Sequence, residues 1–167
     1  RNLRTQRAHS VLVLLPDLAN PFFSAILEGI SRVLARQGYS MLIASTQHVH
    51  DSGERLIDYL DDARADGMIV LDGGLETDVV EMLSAASHTE RILFACEWVE
   101  DANFPSVRCE NRTGTRIAVN HLYGLGHTKI AHITGPIDNV LGQTRKEAFV
   151  EELADLVEHV FRINHCA

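Results

Sequence analysis

The chain has 167 residues, about one domain of polypeptide, and its 46% hydrophobic and 23% charged content lies near the soluble globular average. That composition excludes intrinsic disorder and a disulfide-stapled miniprotein, and no apolar run approaches the roughly 18 residues of a membrane-spanning helix. Lys plus Arg is 15 and Asp plus Glu is 23, a net charge of −8; Arg1, Arg4 and Arg7 are the only formal charges among the first nine residues, and removing that +3 leaves −11. An acidic body repels phosphate backbones and is not expected to grip nucleic acid. The basic leader suits either a segment that does or a solvated terminus. Cys96, Cys109 and Cys166 are an odd, scattered set, as expected in a reducing cytosol. The polar stretch Arg1 to Ser10 lacks the apolar core of a signal peptide, so none is expected in the chain as given, and with the cysteines the expected compartment is the cytoplasm.

Short apolar runs alternate with amphipathic stretches along the chain. Val11 to Leu15, ended by Pro16-Asp17, reads as a strand buried on both faces. Asn20 offers an N-cap and Pro21 suits the first helical position. Phe22, Ile26, Ile30 and Val33 recur at helical spacing, with Phe23, Leu27 and Leu34 beside them, until Gly38 stops the helix. Tyr39 to Ala44 is the next strand. Asp51 with Glu54 resembles a capping box, opening a helix with a core face of Leu56, Ile57, Leu60 and Ala63. Met68 to Leu71 is a third strand, Glu76 to Ala86 a third helix and Arg91 to Ala95 a fourth strand. Ser106 to Cys109 is short and extended. Asn111 is placed to cap a helix carrying Ile117, Ala118, His121, Leu122 and Leu125, stopped by Gly126. Lys129 to Thr134 reads as another strand, and a last helix puts Phe149, Leu153, Leu156 and Val157 on one face. Val160 to Ile163 then reads as the start of a further strand. Such alternation predicts an α/β fold, a doubly wound parallel sheet with helices on both faces.

Ligands of open α/β sheets bind beyond the carboxyl ends of the strands. The expected strand exits carry Asp17, Asn20, Phe22 and Phe23; then Ser45, Thr46 and Gln47; then Asp72 and Gly73; then Glu97 and Trp98; and finally Asp138, Asn139 and, one turn on, Arg145. Aromatic faces mixed with hydrogen-bonding side chains suit a neutral nucleoside or sugar. Plainer readings stand beside this one: Phe22 and Phe23 begin a helix's core face, Trp98 packs an interface, and Asp72 caps a turn.

Enzyme readings lack their parts. There is no GxGxxG after the first strand and no GxxxxGK[ST] to cradle phosphate, nor any GxSxG, HExxH or CxxC. His121, His127 and His132 have no ligand-pair spacing, so no metal and no cofactor is expected. A phospho-receiver would place an acidic pair after the first strand, where only Asp17 follows Pro16.

Several motifs in order resemble the LacI/GalR repressor family. Val13-Leu14-Leu15-Pro16-Asp17, then Asn20-Pro21-Phe22-Phe23, Glu28-Gly29-Ile30 and Gly38-Tyr39, look like the opening of its effector domain. Asp66-Gly67-Met68-Ile69 resembles its third-strand signature, and Leu122 to Phe149, with Gly126-His127, Ile130-Ala131, Gly135-Pro136 and Arg145, its LGH…IA…GP…R…F block. The likeness covers residues 3 to 160. Within the family, Glu97-Trp98 and Phe104-Pro105-Ser106-Val107 resemble the cytidine-repressor branch and, less closely, the purine-repressor branch.

That resemblance implies a lobe like those of periplasmic sugar-binding proteins. It assigns residues 1–9 to a connector following a helix-turn-helix headpiece, 10–158 to the N-terminal lobe of the effector domain, and 159–167 to the start of a crossover to a second lobe. Measured against the family, the headpiece and most of the second lobe are expected to be absent from this sequence. The implied function is a ligand-responsive transcriptional repressor, a homodimer and not an enzyme, binding a small nucleoside or sugar between lobes and operator DNA through the headpiece. An exported sugar- or nucleoside-binding protein of the same fold is the alternative. The resemblance matches Phe22, Phe23, Asn139 and Arg145 to ligand-contacting positions, and with the strand-exit residues Asp17, Gln47, Asp72, Glu97 and Trp98 they make up the expected effector site. Leu141 departs from the pattern, standing where some relatives carry a polar contact. Ser24, Ala25, Ser31 and Arg32 mark the candidate dimer face of the first helix, which a solvated face explains equally well.

Overall fold

A computed structural model describes residues 7–48, 55–100, 102–136 and 139–164. They fall into two compact units, residues 1–108 and 109–167.

The first unit is built on a parallel sheet in which β1 (Ser10–Leu15), β2 (Ser40–Ser45), β3 (Gly67–Val70), β4 (Ile92–Ala95) and β5 (Ser106–Val107) take the order β2-β1-β3-β4-β5. All four pairings are parallel. Leu12 to Leu15 are completely buried, as the unbroken apolar run predicts for a central strand covered on both faces. Alternation sends their side chains to opposite cores. Val13 and Leu15 join Phe23 and Leu71 under Ile26, Leu27 and Ile30 of helix α1 (Pro21–Arg36). Leu12 and Leu14 join Met68, Val70, Ile92 and Phe94. That second face is covered by Leu60 of α2 (Asp58–Asp61), by Leu56 and Ile57 just before it, and by Val79 and Leu83 of α3 (Thr77–Ser84). The doubly wound sheet is therefore present as expected.

Local chemistry sets the helix ends. The Asn20 side chain accepts the Phe22 amide at 3.0 Å with Pro21 in the first turn, and Gly38, at φ +74°, closes α1. There the Tyr39 N–H donates to Leu34 O and the Gly38 N–H to Ala35 O, the paired bonds of a Schellman cap. The same pair of bonds follows α2, from Arg64 to Tyr59 O and from Ala63 to Leu60 O, yet the left-handed position is occupied by Ala63 at φ +52°. The Arg64 guanidinium lies 4.0 Å above the Tyr59 ring across this turn.

Ala63, expected on a core face, is exposed and Ala65 takes the buried place, because the early cap ends α2 after four residues. Asp51 and Glu54 lie outside the described residues. Phe22 and Val33 are 55% and 60% exposed; the buried stripe of α1 runs through Phe23, Ile26, Leu27 and Ile30, a face too narrow to include every apolar position at i+3 or i+4.

The second unit pairs α4 (Asn111–Gly124) with α5 (Val140–Asn164). Val119, Leu141 and Ala148 are buried, whereas Ile117 and Leu125, expected on a core face, are exposed. Residues 129–134 form no strand: no backbone ladder joins them to another segment among the described residues, and Ile133 is 95% exposed. Periodicity marks a segment able to pair, but a strand exists only where a neighbour supplies the ladder. The strand expected at Val160 to Ile163 is helix instead, since a four-residue apolar run is compatible with either and the preceding helical turns carry through it. Val157 has no described side chain.

A carboxylate joins the two helices. Glu152, 6% exposed, accepts from Arg116 Nε and Asn120 Nδ2, both at 2.5 Å, and Arg112 pairs with Glu147 and Glu151 alongside. Hydrogen bonding from Arg116 holds the Glu152 carboxyl below its ordinary range against the opposing effect of burial, with Asn120 adding to the lowering.

A depressed folded-state pKa stabilises the native state above the ordinary value of 4.5, and that contribution is lost as pH falls through the lower folded value. Urea titrations of wild type and Glu152→Gln are therefore expected to differ most above pH 4.5 and to converge as the solution is acidified. Ala63→Gly relieves a left-handed backbone and is expected to stabilise the chain by about 0.5–1 kcal/mol, read from the same titration.

Candidate functional site

In the first unit, the carboxyl ends of the parallel strands gather the polar side chains. Leu71 is buried after β3 and Asp72 emerges. Its two carboxylate oxygens accept from Thr46 Oγ1, beyond β2, at 2.5 Å and from the Gly74 amide at 2.8 Å. The next amide, Gly73, donates to Glu97 Oε2, beyond β4, at 2.9 Å. Three strand exits are thus tied together by two carboxylates and two consecutive backbone amides. Charged acceptors make such bonds stronger than neutral ones.

Close packing holds the arrangement. A Cβ on Gly73 would stand 2.7 Å from the Trp98 carbonyl oxygen and 3.0 Å from Glu97 Cβ, so only glycine admits this approach of β3 and β4 loops. Cys96 is left-handed at φ +69°, its N–H donating to Val107 O and the Glu97 N–H to Ala95 O. This tight bend precedes the Glu97 side chain that reaches Gly73. The Trp98 ring is half-buried, with the Arg108 guanidinium 4.1 Å from its centre.

A shallow cavity of about 200 Å³ beside this network is lined by Thr46, Gln47, Asp72, Leu75 and Glu76. Four predicted residues are therefore brought together at the strand exits, Gln47 and Asp72 at the cavity and Glu97 and Trp98 at the adjoining loop; Asp17, beyond β1, is exposed and its carboxylate accepts the Ala19 amide at 2.8 Å. The two phenylalanines separate. Phe23 is 5% exposed within the core, while Phe22 projects from the first turn of α1 with its ring edge-on to Phe23 at 5.2 Å.

Asn139 and Arg145 belong to the second unit. Asn139 Oδ1 accepts from the Leu141 and Gly142 amides at 3.0 and 3.1 Å, capping α5 as Asn does at helix starts. Arg145 Nε donates to Asn111 Oδ1 at 2.8 Å. Asn111 is thus the first residue of α4 rather than its cap, which is Glu110; its Nδ2 donates to Cys109 O at 3.0 Å. Arg145 lines a largely apolar cavity of about 500 Å³ with Asn111, Thr115, Val119, His132 and Phe149. Thr46 is one of the expected strand-exit residues but not of the expected effector set, and Arg108 is in neither. Thr46 stands beside Gln47 at an exit already identified, but the contact of Arg108 with Trp98 spans a loop and leaves no local pattern.

Residues 8–165 match the family described as periplasmic binding proteins and sugar binding domain of LacI family, and the chain belongs to that family. It is 31% identical over 153 residues to the HTH-type transcriptional repressor CytR of Escherichia coli strain K12, covering 92% of this chain and 44% of that protein. The HTH-type transcriptional repressor PurR of Haemophilus influenzae strain PittEE is 25% identical over 155 residues, covering 93% of this chain and 46% of PurR. Among solved structures, the complex of transcriptional regulator CelR with cellobiose superposes with a TM-score of 0.73 at 25% identity, over 90% of this chain and 47% of that one. The chain spans less than half the length of these two curated relatives.

Because the Gly73 clash is with backbone, Gly73→Ala is expected to cost about 1–3 kcal/mol in stability. Gly74→Ala, whose Cβ would meet only the Asp72 side chain at 3.3 Å, is expected to cost less. Chemical denaturation of the two variants checks the order.

Proposed function

We propose that this chain is the N-terminal lobe of a ligand-responsive, DNA-binding transcriptional repressor. On this reading, residues 1–9 belong to the connector, residues 10–158 form the lobe and 159–167 lead to a second lobe. The effector is a small nucleoside or sugar held between lobes, with Asp17, Phe22, Gln47, Asp72, Glu97, Trp98, Asn139 and Arg145 toward it and Phe23 supporting Phe22 from the core. The observation that carries the reading is the meeting of Asp72 and Gln47 at one cavity, with Glu97 bonded to the adjoining Gly73 amide and the Trp98 backbone packed on the same glycine, at the carboxyl ends of parallel strands, where ligands of such sheets bind. The resemblance of Glu97-Trp98 and Phe104 to Val107 to the cytidine- and purine-repressor branches favours a nucleoside or base-like effector, and similarity to a cellobiose complex keeps a sugar in view.

Operator binding resides in a headpiece preceding this chain, consistent with the −11 charge that remains beyond the basic leader. The reading contains no catalytic step, cofactor or metal. It places the protein in the cytoplasm as a homodimer, with exposed Ser24, Ala25, Ser31 and Arg32 of α1 on the contact face. A ligand then acts by its differential affinity for open and closed arrangements of the lobes, and the changed arrangement alters the spacing of two headpieces on DNA. The family also includes periplasmic binding proteins, which favours a second reading, an exported binder. A basic helix-turn-helix upstream of residue 1 supports the repressor, and an export signal there supports the binder.

Calorimetric titration of the full-length protein with cytidine, adenosine, ribose and cellobiose tests the cleft. Micromolar binding of one compound is expected, weakened about 10- to 100-fold by Asp72→Ala and by Arg145→Ala, as for loss of a hydrogen bond to a charged group. Retained operator affinity with no binding of any compound would overturn the nucleoside-or-sugar reading.

A further inference from the structure

Trp98 is the chain's one tryptophan, and it is held from two sides. Its backbone is pressed against Gly73, where a Cβ would come within 2.7 Å of the Trp98 carbonyl oxygen and 3.2 Å of its nitrogen. The preceding residue, Glu97, is tied to the Gly73 amide. The indole ring is covered by the Arg108 guanidinium, 4.1 Å from the ring centre. Arg108 is itself aimed by a 2.7 Å hydrogen bond from its Nε to Ser106 Oγ on β5. A large aromatic ring that directly follows Glu97 is therefore held through its backbone and one ring face, and is only half-buried.

We propose that Trp98 is a stacking platform for the planar base of a nucleoside and that Arg108 is its positioning residue. The inference rests on the cleft reading above and narrows its ligand class. A guanidinium over one indole face draws on the negative potential of the ring. This disfavours the contact a pyranose makes through its C–H groups, which needs an electron-rich face. An offset stack with a planar base tolerates that loss, because bases stack on aromatic rings through extended contact and draw about 1–3 kcal/mol from it. Asp72 and Glu97, next to the platform, then take hydroxyl or amino hydrogens of the same ligand. Arg108 acts only through Trp98: it fixes the ring's rotamer before the ligand arrives, which lowers the ordering cost of binding.

The test uses the full-length protein with cytidine, adenosine, ribose and cellobiose as probes, read in parallel by calorimetry and tryptophan emission. Cytidine or adenosine is expected to bind and to change the emission saturably. Trp98→Phe keeps an aromatic platform and is expected to retain binding while losing that signal, which assigns it to this ring. Trp98→Ala is expected to weaken nucleoside binding at least about fivefold, the lower end of a lost base–aromatic stack. Arg108→Ala is expected to shift the emission of the free protein and to weaken nucleosides about two- to fivefold, as for an exposed cation–π contact, with partial recovery in Arg108→Lys. Ribose affinity should not change in either Arg108 variant.

If a nucleoside or sugar binds by calorimetry without altering Trp98 emission, the platform is overturned and the cleft reading survives. Equal losses for nucleosides and ribose in Arg108→Ala, or cellobiose as the tightest ligand, also overturn it. If no probe binds, the cleft reading fails and the platform with it.

Discussion

Everything at the ligand end of the first unit depends on the burial of β1 between two cores. Leu12 to Leu15 have no solvent exposure, and their alternating side chains demand apolar cover on both faces, supplied by α1 on one and by α2 and α3 on the other. A strand with both faces covered sits inside the sheet and takes neighbours on both edges, here β2 and β3. Because crossovers through helices keep the strands parallel, the carboxyl ends of four successive strands open in one direction. The convergence of polar residues is thus a consequence of where apolar ones had to go.

What distinguishes these strand exits from ordinary loops is how their carboxylates are satisfied. Asp72 and Glu97 each accept a backbone amide from the Gly73-Gly74 turn, and Asp72 takes the Thr46 hydroxyl as well. These bonds order the acceptors before any ligand arrives. They also depend on a backbone approach so close that a methyl group at Gly73 cannot be accommodated without movement. Rigidity here comes from main-chain contact, which surface substitutions around the site leave intact.

The second unit is held together differently. The α4–α5 pair buries few large apolar side chains and is joined by Glu152 with Arg116 and Asn120 and by Arg112 with Glu147 and Glu151. Loss of Arg116 would leave the buried Glu152 carboxylate without its charged partner, whereas the Arg112 pairs are exposed and screened by solvent. Arg145, projecting from α5 onto Asn111 of α4, is oriented by the same helix pairing.

By itself the sequence determined the first unit's elements, because their signals are local: the apolar run of β1, the Asn20-Pro21 start of α1 and the Gly38 stop each depend on neighbours within a few residues. It also located the exits of β1 to β4, since a ligand site at the ends of parallel strands follows from the alternation of elements, but not the exit expected after residues 129–134, which form no strand. Motif order along the chain, from Asn20-Pro21 through Asp66-Gly67 to Gly135-Pro136, sufficed to indicate the family. Only the tertiary structure decided which side chains those exits bring together. Phe22 and Phe23 are adjacent and chemically identical, and the rotation of α1 against the sheet alone puts one in the core and the other in solvent. The Arg108–Trp98 contact and the use of Asn111 by Arg145 join residues distant in sequence, and residues 129–134 remain without a strand although their pattern permits one. The physical reason is common to all of these: periodicity and capping are written in neighbouring residues, whereas burial, ring contacts and ladder pairing require a partner that the chain brings close only by folding.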